Sequence, residues 1–515
     1  NNMRVSTNGG LVTENWFDLN ASRYTPSSTL QRMELLKTGY MGTLSLGWDN
    51  YLFLELTGRQ ERSSTLKDQS FFYPSANLSF LFTQAFHMPS WWNYGKLRLS
   101  YGIVGNAPET YTANIVYEQG SDNGFTWNTI PSSWGNADIR PEKKYEYEIG
   151  LESKFLNNRL GIDISYYNNR VKDQILSTPQ PSTSGVKNVL MNVGEVANHG
   201  WDISISATPI LTRDFRWDLT ANYGVYKNKV VKLADGVPYL EILNSGGSGI
   251  KIQAVEGQPM GDIYAQVPQV NENGEYLVSD KGLYLNQTEL QKVGNINPAG
   301  VGGLFNSFSY KNVFLDFSID FRIGGDVINE MNQYATAVGL TPESLKYRDT
   351  EHGGLSYYYP GDNNSSGIPV QVDPSTGAGP NGEIIYHDGI ILPGVVASTG
   401  ERNTRIIPAG YYYNTTYNWG TEAEQLTYRH SVFDNSYVKL RELTIGYQFP
   451  EKMISKLGLG RLSVSVFGRN LFYFYKALKN YDAESSVGTS WANQATVGSS
   501  TTATRSFGVS LRASF

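Results

Sequence analysis

Residues 143–167 contain two alternating runs of apolar and polar side chains. In the first run the odd-numbered positions carry the apolar residues Tyr145, Tyr147, Ile149, Leu151 and Phe155, and the even-numbered positions carry the charged residues Glu146, Glu148, Glu152 and Lys154. After Asn157 and Asn158 the alternation restarts, with Leu160, Ile162, Ile164 and Tyr166 against Asp163 and Ser165. Because successive strand residues point to opposite faces, this pattern predicts a long β-hairpin with one apolar and one charged face. Asparagine tolerates the positive φ of a two-residue hairpin turn.

The same alternation recurs along the chain and predicts thirteen strands. They are residues 40–48, 51–60, 75–86, 95–105, 143–156, 159–174, 198–208, 215–226, 300–311, 313–323, 436–449, 460–472 and 503–515. Short and long connections alternate between them, and the long ones are residues 61–74, 106–142, 175–197, 227–299, 324–435 and 473–502. We therefore expect tight turns at one end of the sheet and large loops at the other.

Alternation alone fits soluble β-sandwiches as well as a barrel, but three further features favour a barrel. Many strands reach the length of about ten residues that a tilted strand needs to cross a bilayer. The long loops are sorted to one end, as in outer-membrane barrels. Aromatic residues gather where strands meet turns: Trp48, Tyr51, Trp91, Trp92, Tyr94, Tyr166 and Tyr167. The predicted fold is all-β, a transmembrane antiparallel β-barrel with long extracellular loops and short periplasmic turns.

Composition limits the remaining classes of protein. Hydrophobic residues make up 40% of the chain and charged residues 17%, and no run approaches the roughly 18 apolar residues of a membrane helix. Charged side chains are costly in lipid, so we expect the apolar strand faces to contact outer-membrane lipid and the charged faces to line an aqueous lumen. The net charge of −6 gives no reason to expect a nucleic-acid partner.

Residue patterns typical of catalysis or metal binding are not found. Cysteine is absent, and the five histidines are scattered without the spacing of metal ligands. The pair Glu146 and Glu148 is explained more simply as part of a polar strand face. We therefore predict no enzymatic activity, no cofactor and no metal.

The two ends of the chain suggest a piece of a larger barrel. A bacterial barrel has an even number of strands, and thirteen strands ending in the periplasm place residues 1–39 outside. We expect 1–39 to be an extracellular loop segment in which NWFDLNAS is the single strand candidate, and 40–515 to be the C-terminal part of the barrel. The last strand places Phe507, Val509, Leu511 and Phe515 on one face, a pattern similar to the signal read by the outer-membrane assembly machinery.

Seven segments carry further recognisable patterns. They are LRLSYGIVGN (97–106), DIRPEKKYEYEIGLESKFLNNRLGIDISYYNN (138–169), MNVGEVANHGWDISI (191–205), VEGQPMGDIYA (255–265), NPAGVGGLFNSFSYKNVFLDFSIDFRIGGDV (297–327), SYVKLRELTIGYQFP (436–450) and FGRNLFYF (467–474). In this order they resemble the SusC/RagA family of TonB-linked outer-membrane transporters from Bacteroidetes. The segment NYDAESS (480–486) departs from that family, which often has a D-P-E triplet there.

The resemblance implies a function and a set of partners. The chain would supply its strands to a barrel of about 22 strands, and the remainder of the barrel and its plug would lie outside this sequence. A SusD-like surface lipoprotein would cap the long-loop end, the TonB-ExbB-ExbD complex would supply energy, and the substrate would be an oligosaccharide or a peptide. The alternatives are a siderophore-type TonB-dependent receptor, a passive porin-like channel of about 14 strands, and a soluble all-β binding or carbohydrate-active protein.

Aromatic residues in the predicted external loops are the candidate ligand-binding residues. They are Trp127, Trp134, Tyr357, Tyr358, Tyr359, Tyr411, Tyr412, Tyr413 and Trp419. Exposed aromatic faces among hydrogen-bonding side chains suit sugars or peptides. Packing of the same rings against each other within the loops remains an equal alternative.

Overall fold

The computed structural model describes most of the chain. The described residues are 2–67, 70–122, 125–245, 249–363, 365–418, 427–455, 458–486, 488, 490–498 and 503–514. The chain forms two compact units: a smaller one of residues 1–79, 99–147 and 169–196, and a larger one of residues 80–98, 148–168 and 197–515.

Thirteen long strands of the described residues form one sheet. They are β1 (Lys37–Trp48), β2 (Leu52–Ser63), β3 (Ser70–Phe80), β4 (Trp92–Asn106), β5 (Glu142–Phe155), β6 (Leu160–Lys172), β7 (Glu195–Leu211), β8 (Phe215–Lys232), β9 (Pro298–Tyr310), β10 (Val313–Gly324), β11 (Tyr437–Gln448), β12 (Arg461–Lys476) and β13 (Ser506–Ser514). Each strand lies beside its neighbours in sequence, so the sheet order is the chain order. The thirteen strands predicted by period-2 alternation are all present.

Tight turns join the strands at one end of the sheet. Asp49 and Asn50 have φ of 47° and 58°, and Asn157 and Asn158 have φ of 58° and 63°. Lys311, in the turn between β9 and β10, has φ of 52°. These left-handed conformations match the twist of the flanking strands in a two-residue hairpin. The predicted two-residue turn is confirmed at Lys311-Asn312, where Tyr310 pairs with Val313. The turn at Asp49-Asn50 is one residue longer than predicted, because Trp48 pairs with Leu52, and the turn at Asn157-Asn158 lies in a connection of residues 156–159.

Two predicted boundaries near the start of the sheet are wrong. The strand predicted over 75–86 ends at Phe80, and the helix α1 (Phe82–Ala85) follows it. The ring of Phe82 packs edge-on against Trp92, with 5.3 Å between centroids. This apolar residue therefore packs within the connection and does not extend the apolar face of a strand. The loop predicted over 61–74 is shorter than expected, because β2 extends to Ser63 and β3 begins at Ser70.

The N-terminal segment is more ordered than expected. Strands Asn2–Leu11 and Ser22–Gln31 pair with each other as an antiparallel hairpin outside the large sheet. The predicted strand candidate NWFDLNAS lies in the connection between them, where Asp18 accepts a hydrogen bond from the Asn20 N–H at 2.7 Å and begins a 3₁₀ turn. Residues 15–21 of this candidate therefore do not form a strand. The hairpin strands lack an apolar face, which is why alternation did not reveal them.

The long connections contain small sheets and helices of their own. The short strands are Glu118–Asp122, Phe125–Thr129, Ser133–Trp134, Ile175–Pro179, Asn188–Asn192, Tyr239–Ser245, Ile250–Val255, Asp262–Ala265, Leu277–Val278, Gln291–Asn295, Asp326–Ile328, Leu355–Tyr358, Val370–Gln371, Tyr386–Ile390, Val395–Val396, Ile407–Pro408 and Val432–Asp434. In the part of the chain that the structure describes, the remaining α-helices are α2 (Glu330–Ala337), α3 (Ala409–Tyr417) and α4 (Glu451–Ile454). Within the described residues no helix has the length and apolar character required to span a membrane.

Buried apolar clusters lie mainly in these connections. The main cluster of the larger unit contains Ile250, Ile252, Ile263, Ala265, Ile296, Ile328, Tyr428, Val432, Ala492 and Ala495. Each buried aliphatic side chain contributes about 1.5–3 kcal/mol relative to an exposed one. The long connections of the larger unit are therefore stabilised by hydrophobic cores formed from their own side chains.

Candidate functional site

The two faces of the large sheet differ sharply in polarity. Ile445, Val466 and Val509 form one cross-strand row on β11, β12 and β13, and their side chains are 53%, 58% and 71% exposed. In the adjacent row, on the opposite face, Ser465 pairs with Ser510. The exposed side of these strands is thus apolar and the other side is polar, the reverse of a soluble sheet with a dry core.

A charged network crosses the polar face of β4, β5 and β6. The Arg98 Nη2 donates hydrogen bonds to Asp163 Oδ1 at 2.6 Å and to Ser165 Oγ at 3.1 Å. The Arg98 Nη1 also lies 3.6 Å from a carboxylate oxygen of Glu152. Arginine and three polar partners from three strands share one face, as the alternation in 143–167 predicts.

A cleft of about 660 Å³ continues this polar face across β7 to β11. The lining residues are Arg98, Asp163, Ser165, Asp202, Ile203, Ser204, Asn222, Tyr223, Gly224, Val301, Gly302, Gly303, Asp320, Phe321 and Tyr437. Three carboxylates and one guanidinium give it an acidic balance. Within the described residues no group of three or more His, Cys, Asp or Glu side chains is placed to hold a metal ion. The cleft is suited to polar or cationic groups.

A second network ties a long connection to the polar face at β11. The strand ladders shift register on both sides of Arg441, and such bulges redirect side chains. Arg441 donates to Asp320 Oδ2 at 2.5 Å and binds both carboxylate oxygens of Glu484, at 2.6 and 2.9 Å. Lys439 is 1% exposed, and its Nζ lies 2.5 Å from Glu484 Oε2.

Glu484 is therefore the anchor of the connection between β12 and β13. Burial alone would raise the pKa of its carboxyl, but hydrogen bonds from Arg441 and Lys439 outweigh burial and lower that pKa to about 2. Glu484 lies in NYDAESS, where the sequence showed only a departure from the family pattern. The sequence feature that could have revealed this anchor is the pair of cations, Lys439 and Arg441, between the apolar residues of β11, because they require an anionic partner.

Three of the candidate aromatic residues, Tyr357, Tyr359 and Tyr413, are buried within the loops. Tyr357 is 1% exposed, donates its hydroxyl to Asp388 Oδ1 at 3.1 Å and stacks on Tyr386. Tyr413 is 4% exposed and donates its hydroxyl to the Glu343 carbonyl at 2.9 Å. Burial raises the pKa of Tyr413 to about 12. For Tyr357 and Tyr413 the structure favours packing over ligand contact.

Two candidates are brought together. Tyr359 and Tyr411 line one cavity of about 340 Å³ among the connections of the larger unit. Lys281 and Arg405 line the same cavity, and neither was singled out from the sequence. These cations are 124 residues apart in the chain and no short motif joins them, so no sequence pattern marks the pair.

The remaining tyrosine candidates occupy intermediate positions in the loops. Tyr358 is half-buried in its short strand. Tyr412 lies in α3 with its ring 5.2 Å from that of Tyr413, and burial raises the pKa of its hydroxyl. Trp419 lies outside the described residues. A ligand role for Tyr358 and Tyr412 stays a prediction.

Trp127 and Trp134 belong to the smaller unit. Trp127 is exposed on the strand Phe125–Thr129, directly opposite Gly120 in the paired strand. Trp134 packs edge-on against Tyr117, with 5.8 Å between ring centroids. Trp127 therefore presents an accessible ring, whereas one side of Trp134 is covered.

Comparison with known proteins places the chain in a family. The family model described as "TonB dependent receptor-like, beta-barrel" matches residues 5–263, just over half of the chain. The chain belongs to this family. Membership makes it an outer-membrane β-barrel protein, as predicted.

Individual relatives agree with this assignment. TonB-dependent receptor P3 of Formosa agariphila is 24% identical over 494 residues, covering 87% of this chain and 42% of that protein. TonB-dependent receptor SusC of Bacteroides thetaiotaomicron is 30% identical over 247 residues, covering 44% of this chain and 24% of SusC. The solved RagAB peptide transporter matches with a TM-score of 0.62 at 18% identity, covering 90% of this chain and 47% of that one. The chain spans less than half the length of each, and the predicted likeness to SusC and RagA is confirmed.

Family membership explains the polarity of the sheet. In an outer-membrane barrel the apolar side of each strand contacts lipid and the polar side faces the lumen. The row of Ile445, Val466 and Val509 is then a lipid-facing row. The charged network around Arg98 and the large cleft belong to the lumen side.

The last strand has the predicted arrangement of side chains. Phe507 and Leu511 are as exposed as Val509 and lie on the same face of β13. Phe515 lies outside the described residues. The use of this face as an assembly signal stays a prediction.

Proposed function

We propose that this chain forms part of the barrel wall and part of the polar lumen lining of a TonB-dependent transporter that imports oligosaccharides across the outer membrane. The observation that carries the proposal is the opposition of an exposed apolar face and a polar face that holds a cleft of about 660 Å³. A barrel wall with this polarity lets a hydrated solute cross the membrane through the lumen without contacting lipid. The same proposal gives the chain no catalytic role and no cofactor.

The orientation belongs to the proposal. Short turns such as those at Asn157 and Lys311 would lie in the periplasm together with the C-terminus, and the long connections would be extracellular. The support is that long loops of bacterial barrels are external and that these connections have cores of their own. A preorganised external layer is suited to recognising a substrate before it enters the lumen.

The partners follow from similarity to SusC and to the RagAB peptide transporter. We expect a SusD-like lipoprotein on the long-loop side and energy coupling through a plug to the TonB-ExbB-ExbD complex. Peptides are the second substrate candidate, because the similar solved transporter is a peptide transporter. Oligosaccharides come first because the accessible loop aromatics, Trp127 and Tyr411, lie among hydroxyl-rich loops.

Uptake by the host strain tests the proposal. Cells that lack the gene should lose uptake of labelled oligosaccharides, and removal of TonB should abolish uptake in cells that retain the gene. Loss of peptide uptake alone would select the second candidate. Uptake that continues without TonB would instead indicate a passive channel and refute the proposal.

A further inference from the structure

The apolar face of β5 becomes cationic at the end that leads into a long connection. Lys143 shares its parity with Tyr145 and Tyr147, and Tyr147 is 45% exposed. On the neighbouring strand β6, the Lys172 Nζ lies 6.0 Å from the centroid of the Tyr145 ring, so Lys172 is on the same face. The lipid-facing side of these two strands therefore ends in lysines beside aromatic residues.

The two lysines lie at the same distance from the tight turn. Lys143 is 12 residues from Phe155, the last residue of β5, and Lys172 is 12 residues from Leu160, the first residue of β6. At about 3.3 Å per residue and a tilt of about 40°, that distance rises about 30 Å, which exceeds an apolar band about 25 Å tall. A lysine at this height extends its ammonium group to the level of the lipid headgroups.

The same spacing recurs on β8, within the larger unit. Lys227 is 12 residues from Phe215, the first residue of that strand. It shares its parity with Phe215, Trp217 and Leu219, and it is exposed. A third strand thus changes from apolar to cationic after the same number of residues. This is expected if the change follows the boundary of the membrane and not a local contact.

Arg170 joins the two lysines of the smaller unit. Arg170 Nη1 lies 3.0 Å from Glu195 Oε1, and Lys172 Nζ lies 3.9 Å from Glu195 Oε2, so one carboxylate holds both cations in place. The side chains of Arg170 and Lys172 are still 56% and 46% exposed. Lys143 has no ion-pair partner among the described residues. Three cations and one carboxylate leave two positive charges uncancelled.

Two further acids close in sequence are bound to other groups. Asp173 Oδ1 accepts a hydrogen bond from Arg140 Nη2 at 3.3 Å, and Glu142 Oε1 accepts one from the Ile175 N–H at 2.8 Å. Within the described residues neither carboxylate forms an ion pair with the three cations. The positive charge therefore stays on the outer face, in a protein whose net charge is −6.

A ligand of this cluster has to be anionic and has to lie at the membrane surface. A guanidinium has several N–H donors, so Arg170 can bind a phosphate while it keeps its contact with Glu195. Cations beside a membrane-facing apolar surface attract anionic headgroups. We propose that Lys143, Arg170 and Lys172 bind the phosphate groups of a glycolipid in the outer leaflet of the outer membrane. The inference rests on the proposed orientation, in which the long connections are external.

Native mass spectrometry of the protein, purified from its host in detergent, tests the site directly. The probes are diphosphoryl lipid A and the same lipid without its phosphates, which keeps the acyl chains. At about fivefold for each of the two uncancelled charges, the phosphorylated lipid should bind about 25-fold more tightly. This preference should shrink between about 0.05 M and about 0.5 M ammonium acetate, because salt screens exposed charges.

Matched variants at adjacent positions locate the effect. Lys143→Gln and Lys172→Gln should each weaken binding of diphosphoryl lipid A about fivefold. Lys144→Gln removes the same charge from the next residue of β5, on the polar face, where Lys144 pairs with Glu146 at 2.6 Å. It should leave lipid binding unchanged. Heat-modifiable migration of the three variants establishes that they are folded.

The outcomes separate a lipid from other ligands. Equal binding of the two lipids overturns the inference, as does a Lys144→Gln effect as large as that of Lys143→Gln. Inorganic phosphate that binds as tightly as diphosphoryl lipid A overturns the choice of a lipid. If Lys143→Gln reduces co-purification of a partner protein and leaves lipid binding unchanged, the cluster is a protein-docking surface and the inference is wrong.

A separate measurement tests the orientation on which the inference rests. Lys187 is exposed in the connection between β6 and β7, and the sequence contains no cysteine. Lys187→Cys should react with a membrane-impermeant maleimide in intact cells. Labelling in lysed cells alone refutes the proposed orientation and the choice of the outer leaflet. Failure of oligosaccharide uptake in cells that show both labelling and phosphate-dependent lipid binding refutes the import function and leaves the lipid site in place.

Discussion

Placing an arginine on either face of β12 tests the assignment of the two faces. Val466 and Ser465 are adjacent, and Val466 lies between Ile445 and Val509 in the exposed apolar row. Ser465 lies on the opposite face beside Ser510. Val466→Arg and Ser465→Arg therefore differ only in the face that receives the charge.

The expected cost follows from depth in the membrane. Val466 is the sixth residue of β12 (Arg461–Lys476). At about 3.3 Å per residue and a tilt of about 40°, it lies about 13 Å above the strand start, near the middle of an apolar band about 25 Å tall. Arginine on the lipid face at that depth costs about 2–4 kcal/mol of folding free energy. This corresponds to a factor of about 30 to about 1,000 in the folding equilibrium.

The measurement is the stability of the folded protein in outer-membrane preparations. Each variant is expressed in the host, and the urea concentration that abolishes heat-modifiable migration is compared with that of the unchanged protein. Val466→Arg should lower this midpoint and the amount of protein in the outer membrane, and Ser465→Arg should leave both nearly unchanged. An equal loss in the two variants, or a larger loss for Ser465→Arg, would refute the assignment of lipid and lumen faces.

Three further predictions concern local interactions. Glu484→Gln should destabilise the anchored connection by about 3 kcal/mol, because Lys439 stays buried without its partner, and protease resistance of residues 477–505 should fall. Because the pKa of Glu484 is lowered, the stability contributed by this anchor should be complete above about pH 4.5 and lost as the pH falls through about 2. Hydrogen exchange of the connection, measured across that pH range, checks this. Exchange rates that do not change over the range would contradict the prediction. Tyr357→Phe should cost about 1 kcal/mol through loss of the hydrogen bond to Asp388, seen as a lower thermal midpoint. Asn158→Ala should destabilise by about 1 kcal/mol at its positive φ, and Asn158→Gly should not; equal loss in both would show that φ is not the cause.

The large sheet was predictable from the sequence because each strand separates two very different environments. Alternation in 143–167 and in β10 follows directly from that requirement. The hairpin Asn2–Leu11 with Ser22–Gln31 has no such separation, so no periodic signal marks it. Alternation of apolar and polar residues thus indicates that the two faces of a strand lie in different environments. It does not indicate whether the backbone is hydrogen-bonded as a strand.

The site was less predictable, because its contacts join distant parts of the chain. Tyr357 and Tyr359 are two residues apart in SYYYPG, yet one is held by Asp388 and the other lines a cavity. Glu484 meets Lys439 across 45 residues. Composition identifies such residues as aromatic or charged, but the fold of the long connections decides which are exposed.

The buried clusters of the long connections have a consequence for how receptors of this kind diversify. A connection that carries its own apolar core does not depend on the membrane-spanning strands for its packing. Such a connection could be exchanged between homologous receptors, bringing its binding specificity with it, while the wall beneath keeps its sequence. Selection can then act on recognition and on membrane insertion as separate traits of one polypeptide.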